Sequence, residues 1–122
     1  MALTDEDKYG RNLVVSWMQN LGLDITIDVV GNIVGVWNVG HGAPVMSGSH
    51  IDTVRTGGRF DGCYGVLAAL EVIESCQDAK ISPPRPLAVG VFTDVNKRAK
   101  HVGCETCAFF VGEDANGQWP RW

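Results

Sequence analysis

The sequence predicts an α/β domain, a mixed sheet with flanking helices, and three observations carry that expectation. Apolar residues recur at helical spacing in two stretches, residues 13–21 and 66–73. Between them, from Asp24, the period falls to two, as in a strand with one face covered. Leu87 to Phe92 is apolar almost throughout, the composition of a strand covered on both faces. With 122 residues, 45% apolar and 20% charged, the chain suffices for one globular domain with a modest core.

The elements follow in order. Thr4-Asp5-Glu6-Asp7 places a hydroxyl at a helix cap and carboxylates in the first turn, where the helix dipole favours them. Leu13, Val14, Trp17, Met18 and Leu21 then mark a helix over residues 5–21, with Gly22 as its stop. Ile25, Ile27 and Val29 alternate with Thr26 and Asp28, and a second run follows at Ile33 to Trp37. The pair predicts a hairpin turning at Gly31-Asn32. After a loop over residues 38–44, Val45 to Ser49 is a short strand ending at His50. A glycine-rich loop leads to a second helix marked by Val66, Ala69, Leu70 and Ile73 and ending near Asp78. Pro83-Pro84-Arg85-Pro86 breaks the chain before the buried strand at Leu87. Strand, helix and buried strand together make a βαβ unit. Beyond Thr93 the periodicity fails, with one short strand expected at Ala108 to Val111.

Charge narrows the function classes. There are 14 acidic and 10 basic side chains, a net charge of −4, and no basic cluster longer than Lys97-Arg98. This gives no electrostatic footprint for nucleic acid or an anionic membrane, and points to small or neutral partners. Apolar runs such as Val66 to Leu70 fall far short of the roughly 20 residues that span a bilayer. The acidic start lacks the basic and apolar regions of a secretory signal, so a cytoplasmic location is expected. In that compartment Cys63, Cys76, Cys104 and Cys107 are expected as thiols.

The chemistry concentrates in Gly48-Ser49-His50-Ile51-Asp52-Thr53-Val54 and Gly57-Gly58-Arg59-Phe60-Asp61-Gly62. Ligands of α/β folds gather beyond the carboxyl ends of strands, where His50 and Asp52 fall. A neutral imidazole is a good zinc ligand, and a carboxylate two residues on can hold its ring in one tautomer. Asp61, returned by the glycine loop, offers a second metal-binding oxygen. Taken alone, His-x-Asp is more often the pattern of a surface pair or a capped loop. The glycines lack the endings of a phosphate loop or a dinucleotide site.

These two motifs, with Gly65 to Glu71 after them, resemble the metal-site signature of the dinuclear-zinc amidohydrolases of the aminoacylase and metallo-carboxypeptidase superfamily. Arg59 and Phe60 are similar to the branch of N-carbamoyl-L-amino-acid hydrolases, β-ureidopropionases and allantoate amidohydrolases. Asp28-Val29-Val30-Gly31-Asn32 and the strand Leu87 to Asp94 extend the resemblance. It implies a partial zinc-peptidase-like catalytic domain over residues 1–94, the N-terminal part of such an enzyme. It implies hydrolysis of a C–N bond in an N-carbamoyl amino acid, ureido acid or allantoate by a site of two divalent metals, Zn2+, Mn2+, Co2+ or Ni2+. His50 would be a metal ligand, Asp61 the carboxylate bridging two metals, and Asp52 the catalytic-site acid that orients His50. The partner implied is a small carbamoyl or ureido substrate. The family's homodimerisation domain has no counterpart in this sequence.

The resemblance also exposes departures. The family follows the buried strand with Thr-(Asn/Asp)-Glu-Glu-Gly, its first glutamate the general base and its second a metal ligand. This sequence has Thr93-Asp94-Val95-Asn96-Lys97. Valine accepts no proton and asparagine is a neutral ligand, so residues 95–122 read as a divergent or frame-altered tail. The chain alone is then expected to be inactive. The alternative is a non-catalytic metal-binding or interaction module derived from that family, in which His101, Cys104 and Cys107 form H-x-x-C-x-x-C. The expected need of Leu87 to Phe92 for neighbouring strands further predicts marginal stability.

Overall fold

The computed structural model describes residues 3–53, 57–58, 60–93 and 108–111. Helix α1 spans Asp5–Asn20, β1 Asp24–Ile27, β2 Ile33–Trp37, β3 Val45–Ser49, α2 Cys63–Asp78, β4 Leu87–Val91 and β5 Ala108–Val111. Each element falls where the sequence places it, the short strand at residues 108–111 included. Thr4 caps α1, its hydroxyl accepting from the Asp7 N–H at 3.3 Å, and Gly22 ends it at φ +73°.

The described strands form one mixed sheet in the order β1-β2-β4-β3-β5. Only β3 and β4 run parallel, with α2 as their crossover, and the other pairs are antiparallel. In β4, Val89 and Val91 point to one face, in register with Gly35 and Ile33 of β2. They join Val14 and Met18 of α1 and Val66, Leu70 and Ile73 of α2 in a single core. Gly35 lets α1 approach: a Cβ there would stand 2.9 Å from Met18 Sδ and 3.1 Å from Leu23 Cδ1. On the opposite face Ala88 and its partner Met46 are each 3% exposed. Both faces of β4 are therefore covered, as its apolar composition predicts. Its neighbours β2 and β3 come from this same chain, so the expected shortage of neighbouring strands does not arise.

Two local expectations need correction. The hairpin turns at Val29-Val30 rather than at Gly31-Asn32. Asp28 causes this by accepting the N–H groups of Val30 and Asn32 on Oδ1, each at 2.9 Å, which closes the turn early and leaves Val29 and Val30 in solvent. Ile27, expected on the covered face, is exposed at the end of this edge strand. In α1 the buried stripe is Asp7, Val14 and Met18, while Leu13 and Trp17 lie outward. The stripe is rotated because Asp7 is buried with an arginine partner, a polar contribution that apolar periodicity does not register.

Candidate metal centre

The site grows out of the junction between β3 and the loop that follows it. The β3 backbone runs close to β4, because Gly48 and Gly90 pair in register and a Cβ on Gly48 would overlap the Gly90 carbonyl. Phe92 N–H donates to the Ser49 carbonyl at 2.7 Å, holding the two carboxyl ends together. His50 emerges there with 3% of its surface exposed, and Asp52 is 5% exposed.

The His50 ring has a defined orientation. Nδ1 lies 2.8 Å from the backbone carbonyl of Asp52. A carbonyl only accepts, so Nδ1 carries the proton and donates it. The lone pair of the neutral ring then sits on Nε2, the tautomer suited to ligating through that atom. The Asp52 carboxylate stands farther off, with Oδ1 3.5 Å from Nδ1. This Oδ1 is buried and makes no hydrogen bond. It is the backbone of Asp52, rather than its side chain, that takes the ring's hydrogen bond, a role that residue identity does not encode.

Asp61 is brought back by the glycine loop, and its Oδ1 stands 3.8 Å from His50 Nε2. That spacing is too long for a hydrogen bond. It fits two ligands of one ion: donors roughly 2.0–2.2 Å from a shared zinc lie about 3.4–3.8 Å apart for bond angles between tetrahedral and wider. Asp61 stands just ahead of Gly62, the cap of α2. Gly62, at φ +75°, makes the approach possible, since a Cβ there would lie 2.5 Å from Cε1 and Nδ1 of His50. The sequence marks Gly62 as the end of the second glycine motif, but its steric role beside the His50 ring shows only in the fold.

Cys63 completes the surroundings. Burial pushes its thiol up, and the Asp61 and Asp52 carboxylates push in the same direction against a backbone hydrogen bond. It stays a thiol at neutral pH and donates to the Ile51 carbonyl, with Sγ 3.7 Å from the oxygen. Among the described residues, no group of three or more His, Cys, Asp or Glu side chains gathers closely enough to hold an ion. His50 and Asp61 are thus brought together as a pair with Asp52 behind them. Arg59, Val95, Asn96, His101, Cys104 and Cys107 lie outside the described residues. No described helix is long and apolar enough to cross a membrane.

Comparison with known proteins shows what the chain as a whole is similar to. No protein-family model matches the chain. The N-carbamoyl-L-amino-acid amidohydrolase of Pseudomonas sp. (strain NS671) is 38% identical over 96 residues, 77% of this chain and 23% of that protein. The ureidoglycolate hydrolase of Oryza sativa subsp. japonica is 36% identical over 114 residues, 91% of this chain and 23% of that protein. Among solved structures, a hydantoinase/carbamoylase family amidase from Burkholderia ambifaria superposes with a TM-score of 0.72 at 44% identity, over 77% of this chain and 24% of that one. In sequence and fold alike the chain is a homologue of the hydantoinase/carbamoylase amidohydrolases, and it spans about a quarter of the length of the relatives it matches.

Proposed function

We propose that His50, Asp61 and Asp52 are the portion held by this chain of a metal-dependent amidohydrolase site for C–N bonds other than peptide bonds. The observation that carries the reading is the 3.8 Å separation of His50 Nε2 and Asp61 Oδ1, with Nδ1 tied to the Asp52 carbonyl. His50 and Asp61 would hold the ion, and the buried Asp52 carboxylate stabilises the ring when it is polarised by that ion. A divalent ion bound there polarises a carbonyl and acidifies water. The substrate class is small carbamoyl or ureido compounds, supported by relatives named N-carbamoyl-L-amino-acid amidohydrolase and ureidoglycolate hydrolase. Hydrolysis of a carbamoyl amino acid consumes one water and yields the amino acid, carbon dioxide and ammonia.

Val95 and Asn96 stand where the resemblance places the general base and a further ligand. Loss of a general base removes about 10²- to 10⁴-fold of rate. With the base replaced and, among the described residues, only His50 and Asp61 brought together as ligands, the chain alone should bind metal weakly and show no turnover, which favours the metal-binding module as the second reading.

Zinc titration by calorimetry tests both. Wild type should bind zinc, and His50→Ala or Asp61→Ala should weaken binding at least tenfold, with Cys104→Ala unchanged. Loss of zinc on Cys104→Ala but not on His50→Ala would assign the ion to the His101, Cys104, Cys107 cluster and refute this site.

A further inference from the structure

Arg11 is a residue of α1, yet its guanidinium ties three parts of the fold together. Nε donates to Asp7 Oδ2 at 3.1 Å, one terminal nitrogen donates to the Gly31 carbonyl at 2.6 Å, and the other donates to Thr93 Oγ1 at 2.9 Å. Thr93 follows β4 by two residues, and its own N–H donates to Asn32 Oδ1 at 2.8 Å. Asn32 is held in turn, its Nδ2 donating to Asp28 Oδ2 at 2.8 Å and its N–H to Asp28 Oδ1 at 2.9 Å. Gly31, at φ +89°, turns its carbonyl to Arg11, and a Cβ there would stand 3.3 Å from Thr93 Oγ1. Each of Asp28, Gly31 and Asn32 thus contributes to holding one residue, Thr93, by its main chain and its hydroxyl.

The arrangement is costly to bury. The Asp7 side chain is 2% exposed and that of Arg11 14%. A buried ion pair stabilises less than apolar residues of the same volume, because both charges are desolvated. What a rigid guanidinium fork supplies is direction. Direction matters here because Thr93 adjoins Phe92, whose N–H is bonded to the Ser49 carbonyl, and Ser49 adjoins His50. Ligand sites function when such supports hold them to within about 0.5 Å.

We propose that Arg11 and Asn32 are positioning residues that, backed by Asp7 and Asp28, clamp Thr93 and so fix the carboxyl end of β4 beside His50. The purpose assigned to the clamp rests on the proposed site at His50 and Asp61, whereas the clamp itself is tested without metal.

The experiment uses the 122-residue chain, isotope-labelled, with Arg11→Met, Asn32→Ala, Thr93→Val and the conservative Thr93→Ser. Amide exchange is followed at Phe92 and Thr93 with Val89 as the reference inside β4, alongside the His50 ring resonances and zinc affinity. The first three variants should speed exchange at Phe92 and Thr93 roughly tenfold relative to Val89. They should also shift the His50 ring signals and weaken zinc binding about 10- to 100-fold. Thr93→Ser should restore all three, and Thr93→Val, which keeps the residue's shape, serves where Arg11→Met does not fold. Exchange that is unchanged, or that rises in parallel at Val89, overturns the clamp. Unmoved His50 signals in a variant whose Thr93 has loosened overturn the positioning role. A wild-type chain that binds no zinc refutes the metal reading alone, since the exchange and ring signals still decide the clamp.

Discussion

At the scale of single residues, the site depends on groups whose names disclose little. His50 and Asp61 are singled out through the resemblance that their two motifs carry, since a histidine near an aspartate is by itself no metal-site pattern. The Asp52 carbonyl is not legible there, since every residue has one. Gly62 lies between these cases. Its φ of +75° and the 2.5 Å that a Cβ would leave to the His50 ring mean that Gly62→Ala must strain the turn and displace the imidazole. The expected cost is about 1–3 kcal/mol in urea unfolding, together with altered His50 ring resonances. A stability loss with unmoved His50 signals would show that the ring tolerates the methyl. Asp28 gives a pH-dependent case. Burial alone would raise its carboxyl, but hydrogen bonds from the Asn32 side chain and from the N–H groups of Asn32, Val30 and Gly31 outweigh it and hold the group below its ordinary value. A carboxyl lower in the folded than in the unfolded state stabilises above the unfolded value, and the gain fades as pH falls through the folded one. The stability difference between wild type and Asp28→Ala should be full above about pH 5 and shrink toward pH 3. Because Asp28 is exposed, screening keeps it under about 1 kcal/mol.

Among the elements, the centre of the sheet sets the tolerances. Periodicity and apolar runs located α1, α2 and β1 to β4, because α2 buries apolar residues at helical intervals and β4 is buried almost throughout. What they could not locate were contacts made by polar groups across the fold. The Asp28 side chain moved the hairpin turn, the buried Asp7 rotated the face of α1, and Arg11 meets Thr93 across 82 positions of sequence. The β3–β4 ladder illustrates a constraint that is legible only once pairing is known. Gly48 and Gly90 face each other, and a methyl on Gly48 overlaps the Gly90 carbonyl, backbone that cannot turn aside. Gly48→Ala should cost on the order of 3 kcal/mol by forcing the parallel pair apart. It should also disturb the His50 ring, two residues away. Equal urea midpoints for this variant and wild type would contradict the packing described.

For the whole molecule, the question is where apolar surface remains. The sequence placed that liability on β4, but β4 is paired on both sides and covered on both faces. Among the described residues, exposed apolar side chains include three along α2, Tyr64 at 64%, Leu67 at 47% and Val72 at 55%. Beside it runs an apolar groove of about 240 Å³ lined by Val45, Ala68, Val72, Ile73 and Leu87. Exposed apolar surface of this kind drives association in water. Light scattering should therefore report an apparent mass that rises with concentration. Leu67→Lys with Val72→Glu should return it to that of one chain without lowering the thermal midpoint, because neither side chain belongs to the core. If association persists in that double variant, α2 is excluded as its source. The source is then the β1 edge of the described sheet, where Ile27 is also exposed and an edge strand offers its backbone to a second sheet. The two origins separate further in salt-free urea titrations. Contact through α2 should dissolve before the fold does, whereas edge pairing, which uses backbone hydrogen bonds, should persist until β1 itself unfolds.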